Sequence, residues 1–371
     1  MDAEHCKTDS IRRLLHVLRL HRWLLLFVAV YFLTAWLTAL ALQLEFKVSG
    51  RLHGMRTSGM ALVCWAIGGY SVYVLYVVRP SRPTIHIMRG IQNFLTLERV
   101  AGGLLILCTA PFFLAAFSFY KRLIPTIKPF AWDLQFAAWD EALHFGAQPW
   151  EHLQPLMSPS MTRLIDLNYM LWFQVILCGL LWYAFYLPNS RFRMQFLLTF
   201  LLSWILLGNL AATALSSAGP CYYPYTDNPF ASLMNYLAEI NRHHQLYAIP
   251  TQDILWRMYK NSIPYIGGGV SAMPSMHVAI AYLLWLAAWK QNRVLSAPFA
   301  AYAIFIMIGS VHLGWHYALD GYVAILGVWC IWHVAGWIVC RDAWLEDGHV
   351  ATGTMPIQHH QVAEPRFAPV A

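Results

Sequence analysis

Apolar runs long enough to cross a lipid bilayer recur along the chain, separated by short polar and basic segments. They fall at about 23–44, 60–78, 100–119, 166–187, 195–215, 276–289, 295–311 and 318–340. About 20 apolar residues in a helix span a hydrocarbon layer of roughly 30 Å. Eight such runs predict an all-α fold, a polytopic bundle of about eight transmembrane helices. Residues 1–22 combine leucines at helical spacing with Lys7, Arg12, Arg13, Arg19 and Arg22, the pattern of an amphipathic helix lying on a membrane surface. Residues 79–99 are basic and broken by prolines and read as a loop. Residues 120–165 alternate aromatics with Asp133, Asp140, Glu141 and His144, which suits a helix at about 130–150 lying at headgroup depth. Its other reading is a surface helix that only caps the bundle. A long loop fills 216–272. The expected organisation is an N-terminal part (1–100) with two accessory spans, a six-span core (101–341) and a flexible tail (342–371).

Composition narrows the class. The chain has 371 residues, 58% hydrophobic and 12% charged, against roughly 25% charged in soluble domains. Lipid is therefore its expected solvent. The net charge of +7 gathers between apolar runs, which fits membrane orientation rather than nucleic acid. With the basic N-terminus, 79–99, 189–194, 290–293 and Arg341 inside, the loops at 45–58, 120–165, 216–275 and 312–317 lie outside. Lys47, Arg51, Arg56, Lys121, Arg122 and Lys128 are exceptions to this bias. Both ends are then cytoplasmic, and a bacterial inner membrane is the expected location. No small-residue cleavage site follows the first apolar run, so no cleavable signal is expected. The seven cysteines are scattered without a C-x-x-C pair, and no structural disulfide is expected.

Candidate chemistry concentrates between Gly267 and Asp320. His316 and Asp320 are four apart at the start of a helix and share one face. A carboxylate that accepts the N–H of an imidazole fixes its tautomer and frees the other nitrogen to attack. The plainer reading is a His–Asp bond that ties the helix end. In P-S-M-H at 274–277, Pro274 suits a first helical turn and Ser275 suits a cap. The turn's amides suit an anion, and the preceding Gly267-Gly268-Gly269 permits close backbone approach. His277 stands beside that anion site, where it can give a proton to a leaving oxygen. Two spans separate His277 from His316, so both fall on the same, outer side. The three groups suit metal-free phosphoryl transfer through a phosphohistidine, with no cofactor.

The stretches A-M-P-S-M-H and L-G-W-H-Y-A-L-D resemble the second and third signature motifs of the type 2 phosphatidic acid phosphatase superfamily. They are most similar to its branch of inositol phosphorylceramide and sphingomyelin synthases. A-G-P-C-Y-Y at 218–223 and W-D-E-A-L-H-F-G-A-Q-P-W also resemble bacterial members of that branch. The resemblance covers roughly 120–340. It implies that His316 is the nucleophile, Asp320 its orienting acid and His277 the general acid. Ser275, Met276, Gly269 and His312 are then expected around the substrate, a membrane lipid with a phosphorylated head group. Two family features depart. The Arg six residues before the nucleophile is Ser310 here. The first motif, K-x6-R-P, finds only Arg79-Pro80, on the wrong side and without its lysine. The missing cation is sought at Arg242, Arg257 or Lys260. These departures favour head-group transfer over hydrolysis.

Rival readings remain. A lipid phosphatase of the phosphatidic acid or polyprenyl pyrophosphate type uses the same residues. A metal-dependent oxidase would use His312, His316, His243 and His244, but needs more clustered histidines. A non-catalytic transporter or scaffold would place its polar groups at mid-membrane and show an inverted repeat.

Overall fold

The computed structural model describes residues 2–48, 64, 67–186, 190–261 and 269–345. They form a helical membrane bundle. Its elements are α1 (Asp2–Leu20), α2 (Arg22–Ala41), α3 (Ile67–Val78), α4 (Pro83–Phe94), α5 (Leu97–Ile127), α6 (Asp133–Leu143), α7 (Pro149–Leu153), α8 (Pro159–Phe185), α9 (Ser190–Ala214), α10 (Ala231–His244), α11 (Ala248–Lys260), α12 (Met276–Gln291), α13 (Arg293–His312) and α14 (Ala318–Cys340). Five of them, α2, α5, α8, α9 and α14, are long and apolar enough to cross a membrane. At the other three expected positions stand shorter apolar helices, α3, α12 and α13. The expected second span, 60–78, lies partly outside the described residues, and the expected tail almost wholly so.

The bundle is organised around α12, which packs against α8, α9, α13 and α14. Its apolar residues are buried on all sides, as a helix surrounded by helices requires. α2 buries Leu24, Val28, Tyr31, Ala35 and Ala39, a stripe at steps of three and four, against α5 and α9. There the Tyr31 hydroxyl donates to Asn209 Oδ1 inside a π-helical turn of α9, Leu206–Ala211. Arg22 and Trp23, at the start of α2, both donate to the Asp342 carboxylate just beyond the end of α14, at 2.6 and 2.8 Å. The start of the second helix and the end of the last therefore meet on one side.

Several expectations need correction. Residues 83–94 are helical: Pro83 occupies the first turn of α4, where its missing N–H is harmless. The third span runs on to Ile127, through Pro111 and Pro125, so Lys121 sits within α5 rather than in a loop. The long loop contains α10 and α11. The expected single interfacial helix is two helices, α6 and α7, and two of its acids are turned inward: Asp133 and Asp140 are each 1% exposed, while Glu141 is exposed.

A buried carboxylate also sets the outer layer. Asp166, on α8, accepts the amides of Tyr247 (2.6 Å) and Ala248 (2.9 Å) and so caps α11. Replacing it by Ala strands both donors, a loss of about 2 kcal/mol. Asp166→Ala is expected to expose residues 245–260 to limited proteolysis while the helical content of the bundle stays unchanged.

Candidate active site

Three loops converge above the N-terminal ends of α12 and α14. The turn after α9 supplies Ser216, Ser217, Ala218 and Gly219. The Ser216 carbonyl accepts the amides of Ala131 and Trp132. Ser217 holds Ala272 through its carbonyl at 3.0 Å and Met273 through its hydroxyl at 3.2 Å. Asp133 accepts from the amides of Ala218 and Gly219 and from the Tyr317 hydroxyl, each at 2.9 Å. Asp140 accepts the amides of Ala318 (2.6 Å) and Leu319 (2.9 Å), capping α14. Gly219 has φ +102°, and a Cβ there would meet the Trp315 carbonyl at 2.8 Å, so only glycine allows this approach. The Ser275 amide then donates to the Asp320 carbonyl at 3.1 Å, which fastens the start of α12 directly to the start of α14.

This frame brings together two histidines that are 39 positions apart in the sequence. The rings of His277 and His316 lie 6.1 Å apart, centroid to centroid. His316 Nδ1 is 3.2 Å from Asp320 Oδ2, and the same oxygen accepts the Tyr317 amide at 3.0 Å. The His316 imidazole also bonds to the Ala272 carbonyl. His277 lies parallel to Tyr169 at 4.3 Å and against Trp172 at 4.0 Å, and the Trp172 indole donates to the His277 carbonyl at 2.9 Å. Its ring is thereby held on both its backbone and its face.

The remaining expected residues are placed as follows. Ser275 is the N-cap of α12, its hydroxyl accepting the Val278 amide at 3.4 Å. Pro274 lies one position before that cap, after a cis bond, and not in the first turn. Met276 is buried and turned toward α9, where its sulfur lies by Gly208. Gly269, at φ +130°, packs on the backbone of Lys121; Gly267 and Gly268 lie outside the described residues. His312 is turned away into α8, bonded to the Thr162 hydroxyl at 2.8 Å. Ser310 bonds the Met307 carbonyl. Arg242 pairs with Glu239 on the surface, and Arg257 and Lys260 are exposed on α11. None of the three supplies the missing cation.

The structure adds a buried cation, Lys121, which lies within α5 rather than in the expected loop. It is 9% exposed, and its charge acts on both His277 and His316. Among the described residues no carboxylate pairs with it. The signal was present in the sequence: Lys121 and Lys128-Pro129 are spaced as K-x6-K-P, the first-motif pattern with lysine in place of arginine. Asp133 and Asp140 were also missed as parts of this frame. Among the described residues no three His, Cys, Asp or Glu side chains gather as a metal site would need. His243 pairs with Glu239 on exposed α10, away from His312.

A family model of the PAP2 superfamily matches residues 134–336, more than half of the chain. The chain belongs to the PAP2 superfamily, and with it to a class of membrane phosphatases and phosphotransferases. No curated protein and no solved structure matches it.

Burial pushes the His316 imidazole down to about 3; the Ala272 bond opposes this and the Lys121 charge adds to it. His316 is thus neutral at physiological pH. Burial pushes the Asp140 carboxyl up to about 6, against its bonds to Ala318 and Leu319. The signs oppose. Between about pH 6.5 and 3 the unfolded chain takes up a proton at residue 316 that the fold refuses, so stability falls as pH falls. Between about 6 and 4 the fold takes one up at Asp140 that the unfolded chain refuses, so stability rises as pH falls. Replacing His316 by Asn removes only the first contribution. The thermal midpoint of His316→Asn is therefore expected to fall less on acidification from pH 7 to 4.5 than that of the parent protein.

Proposed function

We propose that the protein is an integral membrane lipid phosphotransferase that moves a phosphorylated head group, in the manner of inositol phosphorylceramide synthases, through a phosphohistidine. The observation that carries the reading is the meeting of His277, His316 and Asp320 at one end of the bundle, with Lys121 as the nearby cation. His316, neutral and oriented by Asp320, attacks phosphorus with the nitrogen turned away from the carboxylate. The bond from phosphorus to the lipid alkoxide breaks, and His277, entering the step as the imidazolium, gives that oxygen a proton and is left neutral. The head-group phosphoryl is then held on His316. An acceptor hydroxyl gives its proton to neutral His277 and attacks phosphorus, which frees His316 as the neutral imidazole and restores the His277 imidazolium. Lys121 offsets phosphate charge throughout, and the first-turn amides of α12 add partial positive charge.

The same four groups act with water as acceptor, and the K-x6-K-P spacing favours this second reading, a lipid phosphatase, because it restores part of the phosphatase first motif. In both readings the site faces the periplasm or lumen, since it lies at the end opposite the basic N-terminal helix. The junction of α2 with Asp342 supports both chain ends being cytoplasmic.

Purified protein in vesicles, given phospholipids and polyprenyl pyrophosphates with and without inositol or ceramide, separates the readings. A new phospholipid is the result expected for transfer; inorganic phosphate without one identifies the phosphatase. His316→Asn and His277→Ala are each expected to lower kcat by about 10³-fold or more. Only His316→Asn is expected to abolish an acid-labile phosphoryl label on the protein. Full turnover in either variant would refute the mechanism.

A further inference from the structure

The rings around His277 carry more hydrogen-bonding capacity than the protein uses. Tyr169 is 1% exposed, its ring parallel to the His277 imidazole, yet its hydroxyl has no partner among the described residues. Leaving a buried hydroxyl unsatisfied is costly, and the great majority of such groups in proteins are bonded. A second unsatisfied donor lies beside it. The Trp315 indole N–H has no partner among the described residues either, and its ring is parallel to that of Tyr169, 6.5 Å away and tilted by 7°. Trp315 directly precedes His316, so the two donors come from α8 and from the turn that carries His316.

The titratable groups whose charge acts on Tyr169 or His277 are His316, Lys121, Asp320, Cys221 and Tyr302. Asp320 accepts from His316 and Tyr317 through Oδ2, while its Oδ1 has no partner among the described residues; both donors here are neutral and cannot pair with it as charges. They are two neutral donors carried by residues beside the two imidazoles: the Tyr169 ring stacks on His277, and Trp315 directly precedes His316. Such donors suit the outer oxygens of a phosphoryl group, which carry the negative charge as the bond to phosphorus changes.

We infer that the Tyr169 hydroxyl and the Trp315 indole N–H form a neutral oxyanion subsite, donating to the non-bridging oxygens of a phosphoryl group held between His277 and His316. The inference rests on the function proposed above and adds the residues that take the oxygens. The ring of Tyr169 has a separate, positioning role against His277, which phenylalanine preserves. The competing explanation is one buried water shared by the hydroxyls of Tyr169 and Tyr302, which is also without a partner.

The test uses the full chain in lipid vesicles, with orthovanadate as the phosphoryl mimic. Tyr169→Phe keeps the stack and removes only the hydroxyl. It is expected to weaken vanadate binding about tenfold and to lower kcat on a lipid phosphoester about 10²-fold, with little change in thermal midpoint. Trp315→Phe is expected to weaken vanadate binding in the same direction, and Tyr302→Phe to leave it unchanged. The inference is overturned if Tyr169→Phe and Trp315→Phe both bind vanadate within twofold of the parent. It is equally overturned if Tyr302→Phe reproduces every effect of Tyr169→Phe. A parent protein that binds vanadate through Tyr169 but turns over no lipid phosphoester would sink the proposed function and leave the subsite standing. Turnover untouched by Tyr169→Phe, with unaltered vanadate binding, would sink the subsite alone.

Discussion

The site depends on a single buried carboxylate, Asp133. Its two oxygens gather three donors from two places: the amides of Ala218 and Gly219 after α9, and the hydroxyl of Tyr317 beside His316. It ties the turn that carries His316 to the turn that reaches Ala272, reinforcing the direct bond from the Cys221 amide to the Gly314 carbonyl at 2.9 Å. Burial raises the pKa of this acid, and the three donors work against that shift. A buried carboxylate is tolerated when its lone pairs are used, and costly when any donor is taken away. That makes Asp133 a cooperative lock, in which each donor depends on the others.

The same device recurs at the helix starts, with one exception. The exposed amides of α14 are taken by Asp140, and those of α11 by Asp166. At α12 only a neutral Ser275 hydroxyl is present, on the Val278 amide. The positive end of α12 is thus the one left without an internal carboxylate among these three, and it carries His277. Internal acids neutralise the starts of α11 and α14, and the start of α12, beside the two histidines, keeps its partial positive charge.

Much of this was legible in the chain. Apolar run length gave the helical bundle, five of whose helices are long and apolar enough to cross a membrane, because backbone hydrogen bonds inside lipid leave few alternatives to a helix. The i, i+4 spacing of His316 and Asp320 and the parity of spans between His277 and His316 gave their pairing. Lys121 was not read, because an isolated lysine after an apolar run looks like a loop residue. Only the continuation of α5 through Pro125 buries it. Asp133 and Asp140 were misjudged for a related reason: alternating aromatics and acids look the same whether the acids meet water or a neighbouring helix start. Tyr169 gave no local signal at all, since an aromatic in an apolar run is by default packing.

The π-helical turn at Leu206–Ala211 has a consequence for the two halves of α9. One extra residue in the turn rotates everything beyond it by about 100° relative to a regular helix. Ser190–Ile205 can therefore present one face to α14 while Gly208 comes under Phe117 and Met276, a change of direction that a straight rod would forbid. Deleting one residue there would restore ideal winding and turn Asn209 away from Tyr31, undocking α2 from α9. The irregularity is a phase shifter, and chain length at this point is as constrained as any side chain.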